Sequence, residues 1–428
     1  MIHKERMTLY DKTNYLAVTL FDKTIYLFRI MKSKTSPSEA VAPSKTAYIR
    51  SLMAGDYQLW CIVLILNAIG FLVQFSAKSK YHLGGAMEPL SYLVKNGIIL
   101  IASLLIMSYI SRQDYVRLTR FNNLVLFASW LLIGFAYVFE PSKGGASRWI
   151  DIGPISFMPS DMAKLALIIS LSKLFATKQA SPDAYSKWTL ATILFQVGTT
   201  CFLIMLSNFS TSILIGGTSF VLMLFGRVPW RSIWIVVSVM VGLGIGVVVL
   251  GIGQRAETVQ SRIKSYIKRT VGNEKGKEES SDKDEGENYQ LHQSQMAIAT
   301  GALQPLGPGK SQFRYLLSQA DSDFIYATVI EEYGIIMGLF LPFVYLWLLM
   351  RGIRVIQYSA KPLGGLLSAG LAFSLVVQAF INMFVSVGAI PVTGQPMPMI
   401  SAGGTSLIFT AISMGLIMSI SKDKELHA

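Results

Sequence analysis

Four carboxylates fall within one short stretch, Asp321-Ser322-Asp323-Phe324-Ile325-Tyr326-Ala327 running into Glu331-Glu332-Tyr333-Gly334, and no further charge follows until Arg351. Acid side chains at bilayer depth are costly to desolvate, so they face a polar cavity and mark a functional site by default. A carboxylate at the mouth of such a segment can take a proton from a substrate hydroxyl. Asp323 stands at that mouth. Glu331 lies about 12 Å deeper on a helix rising 1.5 Å per residue, too far to share a proton with Asp323. The Glu pair is therefore read as anchoring the helix by hydrogen bonds or helping to hold a cation.

Three further stretches fall on the same side of the membrane in the topology derived below. Ser147-Arg148-Trp149-Ile150-Asp151 precedes Pro159-Ser160-Asp161-Met162-Ala163-Lys164, which opens an apolar run. Pro159 suits a first helical turn, and Asp161 sits where the helix dipole favours an anion. Lys164 is three residues on, on the same face. The Asp161–Lys164 pair can simply neutralise both charges at the membrane entry, or it can bind substrate. Arg148 suits a phosphate-bearing ligand, because a guanidinium is permanently charged and planar. The second stretch holds Gln290, Gln293 and Ser294, then Gly307-x-Gly309-Lys310, which lacks the spacing of a Walker motif. The third, Ile390 to Ser406, packs three prolines and three glycines into an uncharged segment; it predicts a re-entrant or cavity-lining loop.

The elements that must position these residues are membrane helices. The 428 residues are 52% hydrophobic and only 15% charged, which places the chain in the polytopic membrane class. Runs of about 20 residues suffice to cross the hydrocarbon core. They fall at roughly 57–76, 90–111, 121–140, 159–176, 189–206, 210–226, 233–253, 325–350, 363–386 and 403–420. The fold class expected is thus an all-α polytopic membrane protein of about ten transmembrane helices, with a large external loop, 254–323, between the seventh and eighth. Ser207-Asn208-Phe209-Ser210 makes a tight hairpin between the fifth and sixth spans. Basic residues such as Arg112, Arg117, Arg227 and Arg351 crowd one set of short loops. That set is cytoplasmic by the positive-inside rule, and both termini with it.

The domain reading follows: residues 1–56 form a cytoplasmic tail and linker, 57–421 the membrane domain, and 422–428 a cytoplasmic tail. The centre of the long loop, Glu274 to Glu287, is dense in both charges and poor in apolar residues, and reads as disordered. Arg255 to Ile267 is a basic amphipathic stretch, and Asn288 to Ala299 has helical spacing. The net charge of +13 is dispersed in short patches, so nucleic acid is not an expected partner. Cys61 and Cys201 lie in apolar runs and the four histidines are scattered, which supports neither a disulfide framework nor a His/Cys metal site. The first long apolar run begins near Tyr57, too far from the start for a usual signal peptide.

Taken together, Arg148-Trp149-Ile150, Pro159-Ser160-Asp161-x-x-Lys164, Tyr289-Gln290 with Gln293-Ser294, Asp323-Phe324-Ile325 with Glu331-Glu332-x-Gly334, and Pro391-Val392-Thr393-Gly394 with Pro398, Ser401 and Gly403-Gly404 resemble the SEDS family (shape, elongation, division and sporulation). These are polytopic glycosyltransferases of the bacterial inner membrane that polymerise peptidoglycan from lipid II. The resemblance runs from about Tyr57 to Ser421. It implies that Asp323 is the catalytic carboxylate and that Arg148, Asp161 and Lys164, with Gln290, Gln293 and Ser401, bind substrate. It also implies a class B penicillin-binding protein as partner, other division proteins nearby, contact with membrane lipids and the nascent glycan strand, and help from a divalent cation, Mg or Mn, whose ligands stay open.

Three departures stand out. The family's Pro-Ser-Glu reads Pro159-Ser160-Asp161, its Gln-Pro-Asp-x-Gly reads Leu206-Ser207-Asn208-Phe209-Ser210, and its Ser-Tyr-Gly-Gly reads Ser401-Ala402-Gly403-Gly404. No carboxylate role can hold at Asn208. The Asn208 segment and the long N-terminal tail point to the division branch and a septal location, with the elongation branch as the alternative. A lipid flippase or transporter is the rival reading, because interrupted helices and cavity charges are shared by that class. The lack of an internal repeat and the placement of the polar motifs at one membrane face weigh against it.

Overall fold

The computed structural model describes residues 54–78, 87–139, 149–152, 155–179, 185–251, 260, 282–313, 322–359 and 361–422. The tail 1–53, Arg148, the stretch Arg255–Ile267 apart from Gln260, residues 268–281, Asp321 and residues 423–428 lie outside the described residues.

Helices stand at all ten expected positions. They are α1 (Tyr57–Lys78), α2 (Met87–Arg112), α3 (Asn122–Phe139), α4 (Pro159–Lys178), α5 (Lys187–Met205), α6 (Phe209–Phe225) and α7 (Trp230–Val249). A further helix, α8 (Asp282–Leu303), lies in the long loop, and α9 (Ile325–Tyr358), α10 (Pro362–Val387) and α11 (Gly404–Ser421) complete the bundle. Eight of the ten are long and apolar enough to cross a bilayer. The remaining two are α6, whose 17 residues span about 26 Å at 1.5 Å each, and α4, which carries Asp161, Lys164, Lys173 and Lys178. The chain is a multi-pass membrane protein.

One expectation needs correction. The disorder read across Glu274–Glu287 does not extend to its second half, because Asp282–Glu287 form the opening turns of α8. A helical turn needs only its own i to i+4 backbone hydrogen bonds, so a segment too polar to build a core can still be helical. The all-α polytopic fold holds, and a single small two-stranded antiparallel hairpin accompanies it among the described residues, β1 (Ile150–Ile152) and β2 (Ile155–Phe157), with Asp151 opposite Ser156. The hairpin docks on α11: Thr405 Oγ1 donates to the Ser156 carbonyl at 3.0 Å and accepts from the Met158 amide at 3.3 Å. It delivers the chain into α4.

Burial ranks the helices. Two-thirds or more of the apolar windows of α10 and α11 are buried, against under a fifth for α2 and α7, and α4 is buried along most of its length. The reason is visible in α10, which begins Pro-Leu-Gly-Gly-Leu-Leu-Ser-Ala-Gly. In lipid, where apolar burial offers helices little drive, small side chains let backbones approach and gain dispersion and hydrogen bonds. Ser368 Oγ accordingly donates to the Gly352 carbonyl of α9 at 2.9 Å. At the end of the bundle away from Asp323, Arg351 is paired with Asp56, whose backbone N–H donates to Ser421 Oγ at 2.9 Å. That contact ties the starts and ends of α1, α9 and α11.

Helix α9 carries the fold's main irregularity. Gly334 has φ 81° and ψ 178°, a conformation that only glycine adopts without strain. The break releases the carbonyls of Glu331 and Glu332 from the i to i+4 pattern. They accept instead from the Leu306 and Gly307 amides at 3.1 and 3.0 Å. Further on, Pro342 has no N–H to offer the Gly338 carbonyl, and the Tyr326 hydroxyl donates to it at 2.9 Å. Both helix defects are thus satisfied within the protein, as a bilayer requires.

Candidate active site

Asp323 occupies the turn immediately before α9, half-buried. Its backbone is held from across the bundle: Asn382 Nδ2 of α10 donates to the Asp323 carbonyl at 3.0 Å and to the Ser322 carbonyl at 3.4 Å. Ser401 Oγ donates to the same Ser322 carbonyl at 2.8 Å and accepts from the Met397 amide at 2.7 Å. Ser401, one of the residues expected to bind substrate, therefore fixes the turn that carries Asp323.

The segment from Ile390 to Gly403 is irregular and largely buried, as its prolines predict. Its carbonyls are taken up one by one. Gln395 accepts from Asn382 at 2.9 Å, Pro396 from Gln378 Nε2 at 2.9 Å, Pro398 from the Tyr345 hydroxyl, and Ile400 from Gln74 Nε2 at 2.7 Å. A non-helical backbone at membrane depth is tolerated only with such partners. Gln395 in turn donates to Thr211 Oγ1 at 2.6 Å. Asn208 caps α6 by accepting from the Thr211 amide at 3.2 Å.

Lys164 and Asp161 belong to the same network. Both are buried or nearly so; Lys164 Nζ lies 3.5 Å from Asp161 Oδ1 and donates to Gln378 Oε1 at 2.7 Å. Gln378 and Asn382 are four residues apart on α10 and share one face. One helix face thus reaches α4 through Gln378 and the Asp323 turn through Asn382. Ser160 Oγ and Asp161 Oδ2 are buried and have no hydrogen-bond partner among the described residues. An ammonium has three donors, and Asp161 and Gln378 engage two of those on Lys164.

The deeper carboxylates do another job. Glu331 accepts from the Gln312 amide at 2.6 Å, the Phe313 amide at 3.2 Å and the Ser311 hydroxyl, and Glu332 from the Ser311 amide at 3.3 Å and the Ser76 hydroxyl. They hold the 311–313 backbone against α9 and α1. Gln290 and Gln293 are half-buried on α8, which docks on the end of α10 through Ser294 Oγ, donating to the Ser386 carbonyl at 2.8 Å, and Gln295 Nε2, donating to Val387 at 3.2 Å. Their helix packs against α9 and α10. Asp161, Lys164, Ser401 and Asp323 are joined in one network.

Gln378 and Asn382 were missed in the sequence. The available signal was two amides one turn apart in a span otherwise apolar or small, which by the cost of polar groups in lipid should face a partner. The arrangement sets one half-buried carboxylate at a rigid turn and one ammonium with donor capacity in a polar site at one end of the bundle. It can accept a proton and stabilise an anion. Among the described residues no three His, Cys, Asp or Glu come together, and Asp161 is already bridged to Lys164. These donors do not fit a cation site of the protein's own making.

A family model described as a cell cycle protein, covering FtsW, RodA and SpoVE, matches residues 57–426. Similar relatives include the "Probable peptidoglycan glycosyltransferase FtsW" of Geobacter metallireducens, 28% identical over 374 residues that cover 86% of this chain and 94% of that protein. The protein of the same name in Bacillus subtilis is 26% identical over 381 residues, 87% and 92% of the two chains. Among solved structures, a chain of a peptidoglycan synthase complex that coordinates polymerization and crosslinking has a TM-score of 0.67 at 24% identity, covering 87% of this chain and 99% of its own. The rod shape determining protein RodA of Thermus thermophilus has a TM-score of 0.62 at 23% identity, covering 87% and 98%.

Proposed function

This chain belongs to the FtsW/RodA/SpoVE family of cell cycle proteins, and on that premise we propose that it is a peptidoglycan glycosyltransferase that polymerises lipid II into glycan strands. The observation that carries the proposal is the network joining Asp323 to Lys164 through Asn382 and Gln378. Polymerisation requires a sugar 4-hydroxyl to attack an anomeric carbon that bears a lipid pyrophosphate. A base is needed at the hydroxyl and positive charge at the leaving group. Asp323 takes the hydroxyl proton as the new glycosidic bond forms with inversion. The old anomeric carbon–oxygen bond breaks, and its electron pair leaves on the pyrophosphate.

Lys164 offers its remaining donor to that pyrophosphate, with Arg148 as a second cation. Asp161 aims Lys164 through their ion pair, while Ser401 fixes the turn of the base. Gln290 and Gln293, on the helix above, would contact the sugars. A divalent cation, Mg or Mn, would be held mainly by the substrate's own phosphates, which is common for Mg²⁺; no step is routed through it.

The similar relatives named FtsW favour a septal, division role over elongation, with a class B penicillin-binding protein crosslinking the strands as they emerge and other division proteins alongside. In this reading the protein lies in the bacterial inner membrane with both termini cytoplasmic, residues 1–56 and 422–428 as tails, and residues 254–323 external.

The test is polymer formation from lipid II by the purified protein together with its transpeptidase. Loss of a general base lowers rates by about 10² to 10⁴, so Asp323→Ala should abolish detectable polymer. A variant that still polymerised lipid II would refute the assignment. Formation of polymer in detergent, where transport has no meaning, separates the enzyme from the flippase reading.

A further inference from the structure

Asn382 is 1% exposed, in the middle of the packed face of α10. Its Nδ2 faces three backbone carbonyls, those of Gln395, Asp323 and Ser322 at 2.9, 3.0 and 3.4 Å, while its buried Oδ1 has no hydrogen-bond partner among the described residues. Turning the amide over would set Oδ1 against three carbonyl oxygens, so the network dictates its orientation. An amide with an idle acceptor is a costly occupant of a membrane span. Packing alone would be served better by leucine. What the amide does is donate, to the two residues of the Asp323 turn on one side and to the buried loop on the other.

We propose that Asn382 is a positioning residue for Asp323: its amide clamps the Ser322-Asp323 turn to the Gln395 segment and so sets where the Asp323 carboxylate meets the sugar hydroxyl. Asn382 makes and breaks no bond. The proposal rests on the reading of Asp323 as the base, and it predicts a loss in turnover rather than in binding. Lys164 is held separately, by Gln378 and Asp161, so anion contacts survive when the clamp is lost.

A misplacement of about 1 Å can cost 10²-fold in rate. Asn382→Ala should therefore lower kcat for lipid II polymerisation about 10- to 100-fold, with KM within about twofold. Asn382→Asp keeps the shape and gives a second readout. Protonated, its carboxyl can donate to one of the carbonyls; ionised, it can only accept. Its kcat relative to wild type should fall as pH rises. On the elements packed against α10, the ionisable groups in this half of the bundle include Asp323 before α9, Tyr326, Glu331 and Glu332 on α9, Asp161 and Lys164 on α4, and the exposed His292 on α8. All of these groups are shared with wild type, so the ratio isolates position 382.

The proposal is overturned if Asn382→Ala keeps kcat within about twofold of wild type, if its loss lies wholly in KM, or if the Asn382→Asp ratio does not move with pH. Should Asn382→Ala fail to fold, the Asn382→Asp profile decides by itself. Asp323→Ala measured alongside separates the two levels. An active Asp323→Ala enzyme removes the base assignment, whereas an inactive one beside a fully active Asn382→Ala removes only the clamp.

Discussion

Replacing Gly301 by alanine sets two known effects against each other. An alanine in the last turn of α8 gains at most about 1 kcal/mol of helix propensity over glycine. A Cβ at this position, however, would lie 2.2 Å from the Glu331 Cα, 2.6 Å from the Ile330 carbonyl oxygen and 2.8 Å from the Glu331 nitrogen. All three are backbone atoms and cannot swing aside. To reach the 3.4 Å at which ordinary contact begins, α8 and α9 must part by about 1.2 Å. That movement stretches the Leu306 and Gly307 amide bonds to the Glu331 and Glu332 carbonyls, now 3.1 and 3.0 Å, past hydrogen-bonding range. Overpacking costs about 1–3 kcal/mol and two lost hydrogen bonds about 1 kcal/mol each, so the net is a destabilisation of about 2–4 kcal/mol. Thermal unfolding of the purified protein in detergent should show Tm lowered by on the order of 5 °C. A Gly301→Ala protein that melted at or above the wild-type temperature would mean that propensity wins and that the two backbones do not meet as described.

Two further outcomes follow from the same region. Glu331→Ala leaves the Gln312 and Phe313 amides and the Ser311 hydroxyl without their acceptor, at about 1–3 kcal/mol per stranded donor, while Glu331→Gln keeps an acceptor in place and should cost less. Limited proteolysis checks this: cleavage within 304–313 should rise sharply in Glu331→Ala and little in Glu331→Gln, and equal protection of both would count against the anchoring role. Tyr326→Phe removes the donor to the Gly338 carbonyl and should destabilise by about 1 kcal/mol. Pro342→Ala supplies the missing amide from within the helix, so Tyr326→Phe should cost almost nothing in that background; an unchanged cost in the double-mutant cycle would refute the pairing.

The helices were legible in the sequence because a bilayer demands long apolar runs and punishes exceptions. The same cost made Asp323, Glu331 and Lys164 conspicuous and the Ile390–Ser406 segment recognisable as a loop. Local chemistry also sufficed for the Pro159 helix start and for the hairpin at Asn208.

What only the tertiary structure decided is who holds whom. Gln378 and Asn382 are two amides in an apolar span until α10 is seen to face Lys164 on one side and the Asp323 turn on the other. The hairpin at Ile150–Phe157 has strands too short to show a period, and it depends on Thr405, some 250 residues away. The four acidic residues that began as one cluster are likewise sorted by contacts at a distance. Glu331 and Glu332 are occupied by amides from 311–313, which come back along α9, and Asp323 is left at the head of the helix in the site that Asn382, Gln378 and Ser401 assemble. Sequence spacing reports neighbours within a helix, whereas a hydrogen bond between helices depends on how their faces are turned, and in this protein that is set by small residues such as Gly301 and Gly352 that let particular backbones meet.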